Sequence, residues 1–156
     1  MIEYSQGSLL DVKRGIIVHG CNAQGVMGSG IAKNIKEKWP KAYTQYVEDI
    51  SRGNYKTGDI SIYSTAADKL YIISAITQEF YGQVPKTRYV SYDAIDNCFN
   101  KICWFAAQRN ATVHIPKIGA GLGGGAWSII AGIIMYHAAK TNVKVKCWEL
   151  TTNESE

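Results

Sequence analysis

The sequence predicts an α/β domain, a single three-layer α/β/α sandwich with a mixed, largely parallel central sheet. Three observations carry that expectation. Short apolar runs alternate with stretches of helical periodicity along the whole chain. One run, Ile16-Ile17-Val18, is apolar without alternation, as in a strand covered on both faces. Two glycine-rich segments each follow such a run and each lead into a helix-like stretch.

The elements follow in order. Ile2 to Tyr4 reads as a first strand and Ile16 to His19 as the second. Ile31, Ala32, Ile35 and Trp39 repeat at helical spacing after the first glycine segment. Pro40 opens another helix, with Tyr43, Tyr46, Val47 and Ile50 on one face, and Gly53 to Gly58 ends it. Ile60–Tyr63 and Tyr71–Ile76 read as strands across a polar turn, and Thr77 to Arg88 reads as a loop. Ile95, Cys98, Phe99, Ile102 and Phe105 form a helical stripe ending near Asn110. Val113 to Pro116 is the next strand, and Ile129, Ile130, Ile133, Ile134 and Ala138 mark the last helix. Val143, Val145 and Cys147 alternate with Lys144 and Lys146, which predicts a half-exposed strand at a sheet edge.

Composition narrows the function classes. The 156 residues suit one domain, residues 1–150, with a short acidic tail, 151–156. The net charge of +4 comes from scattered lysines, which suits anionic ligands and gives no basic block for nucleic acid. No apolar stretch reaches membrane-spanning length and the first residues do not resemble a signal peptide, so a cytoplasmic monomer with reduced thiols is expected. Cys21, Cys98, Cys103 and Cys147 lack CxxC spacing, so neither a metal site nor a cofactor is expected.

The two glycine segments carry the chemistry. The first runs from Gly20 to Ala32 and the second from Pro116 to Trp127. Glycines permit sharp turns and close main-chain approach to a ligand. Helix N-termini add unpaired N–H groups and partial positive charge. Two such loops at neighbouring strand ends form a cleft suited to a diphosphate.

His19-Gly20-Cys21-Asn22 followed by Gly25-Val26-Met27-Gly28-Ser29-Gly30-Ile31-Ala32, together with Pro116-Lys117-Ile118-Gly119-Ala120-Gly121-Leu122 and Trp127, resembles the macro domain family. The resemblance runs from about Ile2 to Leu150 and implies a module that binds ADP-ribose and its derivatives. His-x-Cys-Asn and Trp39-Pro40-Lys41-Ala42 resemble the yeast-type ADP-ribose 1″-phosphate phosphatases, while Gly-Val-Met-Gly and Gly-Leu-Gly-Gly resemble macro domains that remove ADP-ribose from DNA or protein.

The resemblance assigns roles. Asn22 hydrogen-bonds the distal ribose, and His19 and Asn22 are the catalytic pair. For His19 a second reading stands beside this one, a strand histidine satisfied by its neighbours. Gly28, Ser29, Gly30 and Ile31 surround the distal ribose and its 1″ substituent through main-chain N–H groups, and Cys21 and Met27 are counted among the ligand-binding residues, although for Cys21 the residues themselves read as structural. Gly119, Ala120, Gly121, Leu122 and Gly123, with Lys117 and Ile118, hold the diphosphate. Thr77, Gln78 and Phe80 or Tyr81 form a third wall, and Ser8 and Leu9 face the adenine. His114 and His137 are read as structural.

Three departures from the family pattern bear on the reaction. Ser8 stands where many members carry an adenine-reading aspartate. Gln78 stands where lysine-dependent deribosylases carry their lysine, and an amide is no nucleophile. Gly123 replaces an aspartate found in some of those enzymes. Three functions remain in view. The first is a phosphatase giving ADP-ribose and phosphate from ADP-ribose 1″-phosphate. The second is a non-catalytic reader of ADP-ribose or ADP-ribosylated partners. The third is a hydrolase removing ADP-ribose from protein or nucleic acid.

Overall fold

A computed structural model describes residues 1–28, 30–53, 55–65 and 69–150, so Ser29 and the acidic tail lie outside the described residues. Six strands form one sheet: β1 (Ile2–Gln6), β2 (Gly15–Asn22), β3 (Ile60–Ser64), β4 (Leu70–Gln78), β5 (Val113–Ile115) and β6 (Val145–Glu149). Their spatial order is β1-β6-β5-β2-β4-β3. All neighbours run parallel except β3, which returns antiparallel beside β4. Four helices cover the sheet: α1 (Gly30–Lys38), α2 (Pro40–Ser51), α3 (Tyr92–Arg109) and α4 (Trp127–Thr141). The expected three-layer sandwich is the observed architecture.

Alternation along β2 divides the core. Ile16 and Val18 face α3 and α4 in a cluster with Ile73, Ile95, Phe99, Ile102, Ile130 and Ile134. Ile17 faces the other way, against Leu9, Ile35 of α1 and Ala42 of α2. A third group, Cys21, Met27, Tyr46 and Ile76, closes that second layer beneath the cleft. Both long helices near the site end as their sequences dictate. Asn110 and Asn142 adopt left-handed geometry and satisfy the last-turn carbonyls of α3 and α4.

Two expectations need correction. The last strand is not an edge. β6 lies between β1 and β5, and its Val145 and Cys147 are fully buried. Its lysine alternation reflects one partly open sheet face, where Lys144 and Lys146 both reach Glu3 of the true edge strand, β1. The loop expected from Thr77 begins two residues later, because β4 pairs with β2 as far as Gln78.

Candidate functional site

β2 and β5 are neighbours and point the same way, so the two glycine segments leave the sheet side by side at its carboxyl end. Between them lies a cleft of about 310 Å³. Its walls come from the end of β2 (Gly20, Cys21, Asn22), the first loop and first turn of α1 (Val26, Gly28, Ile31, Ala32), the end of β4 and its loop (Thr77, Gln78, Tyr81), and the second loop (Lys117, Ile118, Gly119, Gly121, Leu122, Gly123).

A side chain organises the first loop. The β2–β4 register slips between Cys21 and Asn22, a bulge at the mouth of the site that re-aims Asn22. The Asn22 Oδ1 accepts from the main-chain N–H groups of Gln24 (3.0 Å) and Val26 (3.3 Å), and its Nδ2 donates to the Val26 carbonyl at 2.8 Å. The buried Tyr46 hydroxyl of α2 reaches both the Asn22 carbonyl and its Oδ1, the latter at 3.0 Å. Asn22 thus holds the turn together and still faces the cleft, with one Nδ2 hydrogen left over. The first turn of α1 brings its N-terminal dipole to the same wall.

Main chain organises the second loop. The Gly125 N–H donates to the Gly119 carbonyl at 2.8 Å, and the Gly123 carbonyl accepts from Tyr89 and Val90. Gly119 sits at φ 78°, in the left-handed region. A Cβ on Gly123 would lie 2.7 Å from the Gly119 carbonyl oxygen, so the fold of the loop itself requires glycine there. The N–H groups of Gly119, Gly121, Leu122 and Gly123 have no acceptor among the described residues and border the cleft. They form a nest of donors for an anion.

The remaining assignments sort by geometry. His19 is the main correction. It is completely buried on the α1–α2 side of β2 and does not line the cleft. Its Nε2 hydrogen-bonds the Ser74 hydroxyl at 2.9 Å, and burial lowers its pKa to about 4. The ring is neutral at physiological pH and is not part of the cleft wall, which favours the structural reading. Met27 is core beneath the cleft, and Leu9 is core against Ile17 and Ile35. The Ser8 hydroxyl accepts from the Leu10 N–H and caps a 3₁₀ turn. Phe80 projects away and is 64% exposed, whereas Tyr81 lines the cleft. Gly30 and Ala120 are not among the residues that line the cleft.

Lys117 borders the cleft and pairs with Glu149 at 3.1 Å, a hydrogen bond that raises its pKa. Burial pushes the Cys21 thiol well above its ordinary range, so it is no thiolate. The Gln78 Nε2 donates to the Phe80 carbonyl at 2.7 Å. Sequence reading missed Tyr46 as a partner of Asn22. The two stand 24 positions apart, and only the packing of α2 on β2 brings them together. Gln83 was also missed, while Val26 and Ala32 stand in the first glycine segment without having been given a site role.

The macro domain model matches residues 18–134, three quarters of the chain and both glycine loops. The chain is 32% identical over 138 residues to an uncharacterised 17.5 kDa protein of Enterobacteria phage T4, covering 85% of this chain and 86% of that one. It is 30% identical to the DNA ADP-ribosyl glycohydrolase of Thermus aquaticus over 81% of its own length, but spans only 35% of that protein. It is 27% identical to the ADP-ribose 1″-phosphate phosphatase of Candida albicans, covering 81% of this chain and 87% of that enzyme. Among solved structures, the macrodomain of Mycobacterium tuberculosis DarG superposes with a TM-score of 0.82 at 25% identity, covering 95% and 97% of the two chains. The chain belongs to the macro domain family.

Proposed function

We propose that this chain binds ADP-ribose in the cleft between its two glycine loops and hydrolyses ADP-ribose 1″-phosphate to ADP-ribose and phosphate. The observation that carries the reading is the pair of loops at adjacent strand ends, with free main-chain donors lining the second. The diphosphate lies on the nest from Gly119 to Gly123, and the distal ribose meets the free Nδ2 hydrogen of Asn22. The 1″-phosphate then lies by the first turn of α1, whose dipole stabilises the charge that builds as water attacks phosphorus. The phosphorus–oxygen bond to the ribose breaks, and the leaving ribosyl oxygen takes the proton that water releases.

Among the described residues the cleft wall holds no carboxylate and no imidazole. Catalysis therefore rests on positioning and on main-chain donors, and turnover is modest. His19 acts on the chemistry only through the packing of β2. The 27% identical ADP-ribose 1″-phosphate phosphatase of Candida albicans, 87% of whose length this chain covers, supports this reading.

A second reading, removal of ADP-ribose from DNA, is favoured by the likeness to the Thermus aquaticus glycohydrolase. Against a lysine-dependent route stands Gln78, an amide already donating to Phe80. Phosphorus NMR on ADP-ribose 1″-phosphate tests the proposal. Loss of the phosphomonoester signal with growth of inorganic phosphate and an intact diphosphate supports it. Shifted diphosphate signals without turnover, combined with release of ADP-ribose from modified DNA, transfer the assignment to the second reading.

A further inference from the structure

A second cavity, of about 600 Å³, lies at the opposite pole of the sheet, where the parallel strands begin. Arg14 precedes β2, Lys69 precedes β4, and Arg109 and Asn110 close α3 just before β5. Along β2, five residue steps from Gly15 at this cavity to Gly20 at the cleft separate the two by about 17 Å at the usual rise per residue. A ligand in one does not reach the other.

The cavity is positive and partly preorganised. Among the described residues no carboxylate lines it, and none pairs with Arg14, Lys69 or Arg109. Elsewhere Lys101 pairs with Asp59, Lys117 with Glu149, and Lys144 and Lys146 with Glu3, whereas the three cations here converge on one cavity. The Arg109 guanidinium stacks 3.6 Å from the Phe105 ring centroid, and its Nη1 donates to the Phe105 carbonyl. Tyr71 packs edge-on against that ring and forms part of the wall. A guanidinium fixed in this way loses little freedom when it meets a phosphate. His114 braces the floor. Its Nδ1 accepts from the Trp148 indole N–H at 3.0 Å, and it hydrogen-bonds the main chain of Arg14. Burial first, and then the nearby charges of Lys146 and Lys144, lower its pKa.

We propose that this pole is a second binding site, one for phosphate groups carried by a nucleotide or a nucleic-acid strand. Arg14 and Lys69 supply mobile charge, Arg109 a fixed planar donor, and Tyr71 an aromatic edge beside it. The site is independent of the cleft and of the reaction there.

The test titrates the ¹⁵N-labelled protein with two probes, a twelve-residue oligothymidylate and inorganic pyrophosphate, and follows the amide signals. The expected result is perturbation of Gly15, Asn110 and Thr112 by the oligonucleotide. Perturbation by pyrophosphate as well identifies the phosphate group from any source as the ligand, while no response to pyrophosphate assigns the site to the strand. Arg14→Gln combined with Lys69→Gln changes two exposed residues outside the cleft. It should weaken oligonucleotide binding about tenfold and flatten the salt slope by about 1.4, at about 0.7 per single-strand phosphate contact. Unperturbed Gly15, Asn110 and Thr112 with both probes, or wild-type affinity in the double variant, overturns the proposal.

Discussion

The two glycine loops face each other across one cleft and are built on opposite principles. The first is held by a side chain. Asn22 gathers the N–H groups of Gln24 and Val26, the Val26 carbonyl and the Tyr46 hydroxyl into one turn. The second is held by main chain and by missing side chains, with Gly123 packed so tightly on Gly119 that no Cβ fits. The difference shows how similar sequence signatures serve different ends. Glycine in the first loop lets a helix begin beside the ligand. In the second, glycine makes the binding surface itself.

The contrast predicts that one added carbon breaks the second loop, whereas removing one supporting oxygen beneath the first only weakens it. Gly123→Ala should have the largest effect. The added methyl drives the Gly119 carbonyl out of place, destabilises the fold by about 1–3 kcal/mol as overpacking does, and weakens ADP-ribose binding about a hundredfold, or about 2.7 kcal/mol. Calorimetry on the folded variant reads the second figure.

The next effect lies beneath the first loop. His19 has a folded pKa of about 4 against 6.5 in the unfolded chain. Between those values the unfolded state binds more protons, so stability falls as pH drops. The contribution is complete above pH 6.5 and is lost by pH 4, about 3 kcal/mol in total. Urea midpoints at pH 7 and pH 4.5 should therefore diverge in the wild type and converge in His19→Gln. Phosphatase activity should show no titration assignable to His19 above pH 5, since the ring is already neutral there.

Tyr46→Phe comes third. It removes the hydroxyl that holds Asn22 from below and should cost about 1 kcal/mol of stability. Because Asn22 keeps its loop partners, ligand affinity should fall less than in Gly123→Ala. Equal losses would show the first loop to be as brittle as the second. Gln78→Ala is the smallest. Its amide serves only its own loop, so turnover on ADP-ribose 1″-phosphate should stay within about twofold, a change under about 0.5 kcal/mol in barrier.

Most of the fold was legible in the sequence, because Ile16, Ile17 and Val18 of β2 are apolar without alternation and the helical stripes are long. The glycine loops were legible too, since their composition directly states a main-chain requirement. What escaped was anything decided by depth in the packed sheet. His19 and Cys21 share one face of β2, yet only Cys21, nearer the strand's end, lines the cleft. The sequence motif marks both equally. The hydroxyl beneath Asn22 escaped because Tyr46 reads simply as an apolar-face aromatic of α2. The last strand misled for a related reason. Alternating lysines report an open face, and the same pattern serves for an edge.

The measurement that bears most directly on the central claim is a titration of the ¹⁵N-labelled protein with ADP-ribose. The account predicts saturable shifts of the amides of Gly119, Gly121, Leu122 and Gly123 together with the Asn22 side-chain amide. Saturable binding that leaves the second loop's amides unmoved would contradict it.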